Sequence, residues 1–268
     1  MPLATPEAMF TCVMEAAMRK ALLSCAALLA LATPTFAQPY PPQINLTWND
    51  CLLGPFAVDM GNACTSNAGL MGTLIESFSP PDTVPRYVGN SAVIDLQTSA
   101  TTLSPWWQIG SSVSDCRRGS LSTSADFTAG PNSCADFWAG RGAVSGYSYV
   151  TPSPSIGTPN SARLRAAVSV AESFAGPIDN SKMWYALKVS ISNIKTVGTG
   201  SCAGCLDGAC IVINEMRLVQ PVPTPDVILT TGPQQYVTYR GGAGTSHPCP
   251  ASTPTHQRTW GSVKALYR

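Results

Sequence analysis

The chain has 268 residues, a formal net charge of +1, and charged side chains at only 12% of its positions. That share is about half the usual one and includes no run of like charge, so the sequence offers no electrostatic surface for nucleic acid or an anionic membrane. Because 44% of the residues are hydrophobic, an intrinsically disordered chain is excluded as well.

The N-terminal region predicts an export signal. Arg19 and Lys20 form a short positive segment, an apolar run follows at 21–32, and Thr35-Phe36-Ala37 supplies small residues at a cleavage site. The apolar run is too short to span a bilayer. We therefore predict a signal peptide over residues 18–37.

Residues 1–17 precede this layout, although a signal peptide should open with its positive residues. We interpret them as a gene-start artefact, with translation beginning at Met18. Two alternatives are an unusually long positive region and a lipoprotein that begins at Cys25, which lies inside the apolar run rather than at its end.

The mature chain reads as strands separated by turns. Segments 161–170 and 182–191 alternate apolar and polar side chains, the pattern of an antiparallel strand with one face in solvent. Turn residues such as Gly130-Pro131-Asn132 separate the segments, and none shows a helical period. The shorter predicted strands are Leu74–Phe78, Ala92–Thr98, Leu121–Phe127, Val144–Val150, Ile211–Val219, Val227–Thr230 and Tyr236–Tyr239.

This pattern predicts an all-β fold, an antiparallel sandwich or jelly roll with disulfide-stapled loops, over residues 38–239. Residues 240–268 form a linker-like tail, rich in Gly, Pro, Ser and Thr, with a short aromatic and basic terminus at 259–268. This terminus is interpreted either as a docking or sorting segment or as a strand that closes the sheet.

Eight cysteines remain after the predicted cleavage, and an even number in an exported chain indicates disulfides, because the compartment is oxidising. Each of two isolated pairs brackets a loop, so we expect local bonds Cys51–Cys64 and Cys116–Cys134. The other four are Cys202, Cys205, Cys210 and, in the tail, Cys249.

Three interpretations compete for this second group of cysteines. A redox pair at Cys202 and Cys205 needs a helix after it, whereas glycines make the region a loop. A four-thiolate zinc site lacks a second Cys-x-x-Cys half. We therefore expect two disulfides: one closes the loop onto Cys210, and the other joins Cys249 to Cys202 or Cys205.

Two segments carry a resemblance. These are Gly198-Thr-Gly-Ser-Cys-Ala-Gly-Cys205, continued by Cys210-Ile-Val-Ile-Asn-Glu-Met-Arg-Leu218, and the ending Thr259-Trp-Gly-Ser-Val-Lys-Ala-Leu-Tyr-Arg268. They resemble a group of exported bacterial proteins of unassigned function, and through the cysteine spacings the resemblance covers most of the mature chain. It implies a secreted bacterial protein and carries over no catalytic residue.

No catalytic motif is recognisable. Both histidines, His247 and His256, lie in the tail, so the β domain lacks the usual general base. Neither a Gly-x-Ser-x-Gly elbow nor a His-Glu-x-x-His sequence occurs. A carboxylate pair for glycoside cleavage is retained as an alternative function. Its candidates are Glu76, Asp95, Asp126, Asp136, Glu172 and Glu215.

Aromatic side chains provide the candidate binding site, because Trp and Tyr on a β surface stack on sugar rings. The first interpretation is a secreted, non-enzymatic protein that binds an extracellular glycan or cell-surface component; the second is a structural component of a bacterial surface. For each ring, core packing is the competing role. The candidate contacts are Trp106, Trp107, Trp138, Tyr147, Tyr149 and Trp184, the last on the same face as Lys182 and Lys188 by alternation.

No cofactor, metal or membrane span is expected from the sequence. A calcium ion held by loop oxygens around Asp50, Asp59 and Asn62 is the alternative, although no EF-hand pattern is present.

The first testable prediction is that the exported protein begins at Gln38. N-terminal sequencing of protein recovered from the medium or periplasm measures this directly, because signal peptidase leaves the residue after Ala37 as the new terminus. A lipid-bearing start at Cys25, or any retained residue before Ala30, would contradict it.

Overall fold

The structure is a computed structural model, and it describes residues 39–242. The expected signal peptide and residues 243–268 of the tail lie outside this range. Regular structure within it consists of strands and three one-turn 3₁₀ helices. The strands are β1 (Gln43–Trp48), β2 (Asp59–Met60), β3 (Leu70–Ser79), β4 (Val84–Tyr87), β5 (Gly89–Thr98), β6 (Leu121–Ser124), β7 (Val144–Val150), β8 (Ser161–Ser169), β9 (Gly176–Ile178), β10 (Trp184–Ser192), β11 (Ala209–Val219), β12 (Val227–Leu229) and β13 (Tyr236–Tyr239).

Two main sheets form a β-sandwich. The four-stranded sheet has the order β1-β3-β10-β6, and the seven-stranded sheet has the order β2-β13-β11-β5-β8-β7, with β12 paired to β11. Neighbours are antiparallel except for the parallel pair β2–β13. Strands β4 and β9 form a small separate sheet. The predicted all-β sandwich with disulfide-stapled loops is confirmed. Among the described residues, no helix is long and apolar enough to cross a membrane.

The alternation that predicted the strands follows from the two faces of each sheet. In β8, Leu164, Ala166 and Val168 are buried, while Arg165 and Ala167 are exposed. The predicted bounds of β7 and β13 agree with the structure.

Strand β1 was not predicted, although Gln43 to Trp48 alternates polar and apolar side chains, and the structure buries both of its faces. Its outer edge is closed by other parts of the chain. The N–H groups of Ile44, Leu46 and Trp48 donate to the carbonyls of Thr231, Gln234 and Ala57, respectively. Strands β2, β4 and β9 were not predicted either.

A β-bulge in β10 corrects the expected placement of Trp184. The pairing with β3 shifts register between Tyr185 and Leu187. Trp184 therefore lies opposite Phe78 on the inner face of the sheet, and Lys188 lies opposite Ile75 on the outer face. The prediction that Trp184 and Lys188 share a face is wrong, because one inserted residue reverses the alternation.

Arg117 is a fully buried guanidinium that joins three parts of the chain. Its Nε donates to the Ile194 carbonyl at 3.0 Å, its Nη1 donates to the Trp106 carbonyl at 2.9 Å, and its Nη2 donates to the Ser192 carbonyl. Its Cζ lies 3.8 Å from the centre of the Trp106 ring, a cation–π contact. Burial lowers the pKa of Arg117 to about 10, so the group stays charged at neutral pH.

The disulfides link parts of the chain that are distant in sequence. The structure contains Cys51–Cys134, Cys64–Cys205 and Cys116–Cys202. The expected local bonds Cys51–Cys64 and Cys116–Cys134 are therefore wrong. The folded sheets bring each cysteine closer to a distant partner than to its neighbour in sequence, and bonding follows this spatial proximity.

The same bonds resolve the competing interpretations of the second cysteine group. Cys202 and Cys205 bond to different distant partners, which excludes both a redox pair between them and a zinc site that needs their thiolates. The expected bonds from these two residues to Cys210 or Cys249 are wrong for the same reason. Cys210 is also disulfide-bonded, and Cys249 lies outside the described residues.

The second testable prediction concerns Arg117→Lys. A lysine ammonium cannot reproduce three fixed donors and a planar contact with Trp106, so buried carbonyls lose their partners. We expect the free energy of unfolding to fall by about 2–4 kcal/mol, measured by chemical denaturation with the disulfides intact. The matched control is Arg118→Lys at the neighbouring exposed position, which should change it by less than about 0.5 kcal/mol. Equal effects of the two substitutions would contradict the role assigned to Arg117.

Candidate functional site

Trp106 and Trp107 belong to the core. They form a 3₁₀ turn with Pro105, and both side chains are fully buried. The Trp106 ring stacks on Tyr239 with 5.5 Å between ring centres, and Trp107 meets Tyr239 edge-on at 5.2 Å. Neither ring is available to a ligand, so their expected binding role is wrong.

The other candidate aromatics do not form a shared surface either. Trp138 is buried and donates to the Ala186 carbonyl at 3.0 Å. Trp184 is half-buried and donates to the Asp179 carbonyl at 2.8 Å. The hydroxyls of Tyr147 and Tyr149 donate to the carbonyls of Leu121 and Trp107, and burial raises the pKa of both phenols. The expected aromatic platform is therefore absent from the described residues.

Asp95, one of the candidate carboxylates, is held by hydrogen bonds from four side chains. It accepts hydrogen bonds from Arg163 at 2.9 and 2.7 Å, from Ser153 at 2.6 Å, from Ser155 at 2.7 Å and from Asn214 at 2.8 Å. Burial acts to raise its pKa, but the bonds from Arg163 and the two serines outweigh burial and hold the pKa below its usual value. This carboxylate fastens the loop 151–160 to the outer face of the seven-stranded sheet.

Glu76 is a carboxyl group inside the sandwich. It lies on the inner face of β3, opposite Leu46 and Leu187, and is fully buried. Neither of its oxygens has a hydrogen-bond partner within the described residues. Burial raises its pKa from 4.5 to about 8, so the group is mainly protonated at neutral pH.

The residues considered for calcium serve separate local contacts. Asp50 accepts from Ser133 at 2.7 Å and Tyr185 at 3.1 Å, and Asp59 accepts from Thr238 at 2.7 Å. Asn62 donates to Asn193 at 2.7 Å. No group of three acidic, histidine or cysteine side chains that could hold a metal ion occurs between residues 39 and 242.

A groove on the outer face of the four-stranded sheet gathers polar side chains instead. It lies over β3, β10 and β6 and has a volume of about 450 Å³. Leu70 is exposed and supplies apolar surface, Ile75 lies beneath the groove and is fully buried, and the loop 129–131 forms one wall. Its polar lining consists of Asn49, Thr73, Ser124, Asp126, Lys188 and Ser190.

Sheet register places these side chains next to one another. Thr73 lies opposite Ser190, and Lys188 lies opposite Ser124. The hydroxyls of Thr73 and Ser190 are 3.3 Å apart. Asn49 joins this row because its N–H donates to the Thr73 carbonyl at 2.8 Å, in a left-handed conformation that asparagine tolerates well.

Asp126 and Lys188 give the groove one charge of each sign. Asp126 accepts from the hydroxyl of Thr128 at 2.6 Å and from its N–H at 2.9 Å. These two bonds, with a smaller contribution from the Lys188 charge, lower the pKa of Asp126. The Lys188 ammonium lies 4.9 Å from the centre of the Phe127 ring. An ionised carboxylate and an ammonium therefore face solvent close to a row of hydroxyl groups.

A second, smaller pocket of about 280 Å³ shares Asp126 with the groove. Asp136 and Trp138 also line it, and Asp136 accepts from the Trp138 N–H at 2.8 Å. Two of the six carboxylates considered for glycoside cleavage, Asp126 and Asp136, both line this smaller pocket. Cleavage requires one carboxylic acid with a raised pKa, whereas the pKa of Asp126 is lowered.

The sequence contained part of the signal for this groove. Lys188 and Ser190 are on the polar face of a predicted strand, which was interpreted as ordinary solvent exposure. Their neighbours across the sheet, Thr73 and Ser124, could not be identified because strand order and register depend on the fold.

Comparison with known proteins adds no assignment, since neither a family model nor a curated protein matches this chain.

The third testable prediction concerns Glu76→Gln. Since the folded-state pKa of Glu76 is raised to about 8, the unfolded chain releases its proton first as pH rises. The free energy of unfolding should therefore be largest near pH 4.5, fall as pH rises to about 8, and then level off. Glu76→Gln should remove this decline, and thermal melts across that pH range measure it. Glu172→Gln, at an exposed acid paired with Arg86, should keep the wild-type pH profile. A wild-type profile in Glu76→Gln would contradict the assignment.

Proposed function

We propose that the protein is an exported, non-enzymatic binding module and that a glycan occupies the groove on the outer face of the four-stranded sheet. The observation that supports this proposal is the row of hydroxyl, amide, carboxylate and ammonium groups over β3, β10 and β6. The expected Trp platform no longer supports it, because Trp106, Trp107 and Trp138 are buried in the core.

The chemistry of the groove suits a sugar chain. Sugar hydroxyls both donate and accept hydrogen bonds, and the groove offers donors and acceptors side by side: Lys188 donates, Asp126 accepts, and Thr73 and Ser190 can do either. Leu70 provides apolar surface for the C–H face of a sugar ring. One charge of each sign favours a neutral ligand over a highly charged one.

Three observations support location outside the cytoplasm. The described residues contain three disulfides between distant cysteines, and such bonds persist in oxidising compartments. The predicted signal peptide supplies a route there. The low share of charged residues is typical of extracellular β proteins with many turns.

A glycoside-active enzyme is the second candidate, supported by the common pocket of Asp126 and Asp136. The lowered pKa of Asp126 suits the ionised member of such a pair, which leaves Asp136 as the acid. The binding module is favoured over the enzyme, because the groove brings six polar side chains together next to an exposed apolar one.

The fourth testable prediction is that Ser190→Trp blocks glycan binding. An indole at this position fills the groove between Thr73 and Lys188, so retention on the preferred polymer should weaken by about tenfold or more. Binding is measured by pull-down on insoluble cellulose, chitin and peptidoglycan, and by affinity electrophoresis in xylan, mannan and β-glucan gels. The control is Ala167→Trp on the exposed outer face of the other sheet, which should bind as wild type does.

The outcomes distinguish the two candidates. Retention of wild type with loss in Ser190→Trp supports the binding module. Release of reducing sugar that is abolished by Asp136→Asn supports the enzyme instead. Absence of wild-type binding to the whole panel contradicts a glycan-binding role.

A further inference from the structure

Strand β7 is the last strand of the seven-stranded sheet, and one of its edges faces away from β8. The N–H of Val170, just after β8, donates to the carbonyl of Val88, just before β5. Backbone hydrogen bonds alternate along an antiparallel strand, so the even-numbered residues of β8 bond to β5 and the odd-numbered ones bond to β7. The odd-numbered residues of β8 lie opposite the even-numbered residues of β7, so the even-numbered residues of β7 are the ones that bond to β8. Ser145, Tyr147 and Tyr149 direct their N–H and C=O groups outward.

No other strand or loop among residues 39–242 pairs with this edge. The opposite situation holds at β1, whose outward N–H groups donate to carbonyls of covering loops. The remaining sheet ends are short, since β2 has two residues and β6 has four. The seven residues of β7 therefore form the longest unpaired sheet edge in the described part of the chain.

The sequence of β7 also lacks the features by which proteins usually protect an edge strand. Val144-Ser-Gly-Tyr-Ser-Tyr-Val150 contains no charged residue and no proline, and lysine, proline or a bulge is the common means of preventing strand addition. On the solvent face of the sheet, the two ends of β7 carry exposed valines: Val144 is 71% exposed and Val150 is 45% exposed. Such a strand is suited to pairing with another strand.

The edge is also held rigidly. The Tyr147 hydroxyl donates to the Leu121 carbonyl at 3.0 Å, and the Tyr149 hydroxyl donates to the Trp107 carbonyl at 2.8 Å. Both rings pack against the core. The outward backbone groups are therefore fixed in an extended conformation before any partner arrives, which lowers the entropy lost on association.

We propose that β7 pairs antiparallel with β7 of a second copy of this chain, in a register centred on Tyr147. In this register Tyr147 bonds to Tyr147 of the other copy and Ser145 bonds to Tyr149, so all the outward backbone groups of these three residues find partners. On the solvent face, Val144 lies opposite Val150 at both ends of the pair and removes exposed apolar surface from water.

A second copy suits this edge better than a charged peptide, because a neutral strand presents no charge for recognition and meets no repulsion from its own copy. Gly146 lies opposite Ser148 of the other copy, two small residues that allow close approach. The pairing is self-complementary and closed, since the ends of the combined sheet are then the two-residue strands β2. A dimer rather than a fibre is the expected assembly.

Two charge variants at exposed positions test the register. A Cβ added at Gly146 meets no atom within 4 Å, and Ser148 is exposed, so neither substitution disturbs the folded chain. Gly146→Glu with Ser148→Glu places like charges opposite each other across the pair. Gly146→Lys with Ser148→Glu places opposite charges there, while the new glutamate lies beside Arg165 of β8 in both variants. Sedimentation velocity over a concentration series, on the mature chain from Gln38, measures association.

We expect wild type to associate in a concentration-dependent manner. The two-glutamate variant should raise the dimer dissociation constant by about tenfold or more, and the lysine–glutamate variant should restore it to the wild-type value or below. Equal melting temperatures of all three proteins at a concentration below the wild-type dissociation constant, where each is monomeric, establish that folding is unchanged. A wild-type chain that stays monomeric at every concentration, or a dimer that responds equally to both variants, would overturn the proposal. Dimerisation that begins only when residues 243–268 are removed would also overturn it, since the tail would then be the occupant of the edge.

Discussion

The buried guanidinium of Arg117 is the contact on which the rest of this structure depends most directly. It donates to the carbonyls of Trp106, Ser192 and Ile194 and lies over the Trp106 ring. These carbonyls belong to a 3₁₀ turn, the end of β10 and the loop after it, which would otherwise carry unsatisfied backbone groups into the core. Within residues 39–242 no carboxylate forms an ion pair with this guanidinium. Its charge is therefore stabilised by carbonyl dipoles and by the face of an indole.

Disulfides surround this contact. Cys116, next to Arg117, bonds to Cys202, and Cys205 bonds to Cys64. The Tyr239 hydroxyl donates to the Cys205 carbonyl at 2.9 Å. The ring of the same tyrosine stacks on Trp106. Long loops that contain many Gly, Ser and Pro residues are thereby tied to both sheets. Each bond closes a long segment and so removes much entropy from the unfolded chain. This arrangement explains how a protein with so few charged residues and so much loop retains a single folded form.

The two surfaces to which we assign function also contain few charged side chains. Asp126 and Lys188 are among few ionic side chains on the outer face of the four-stranded sheet, and they frame hydroxyl groups that lie adjacent through strand register. Strand β7 carries no charge at all. One surface is polar and concave, as suits a ligand with many hydroxyls; the other is flat and neutral, as suits a second strand. They lie on different sheets, so each can be tested without altering the other.

The sequence alone determined the fold class, because period-two alternation and turn residues report local burial, which is a property of each segment by itself. It therefore located β7, β8, β10 and β11, and it missed β1, whose polar side chains are buried as fully as its apolar ones although its sequence alternates. Only the tertiary structure decided the cysteine pairing, which depends on distances between segments far apart in the chain. It also decided which faces Trp184 and Lys188 occupy, since the bulge between Tyr185 and Leu187 moves the side chains after it to the opposite face of the sheet. The burial of Trp106 and Trp107 and the assembly of the groove from three strands are likewise consequences of packing and register, which no single segment encodes.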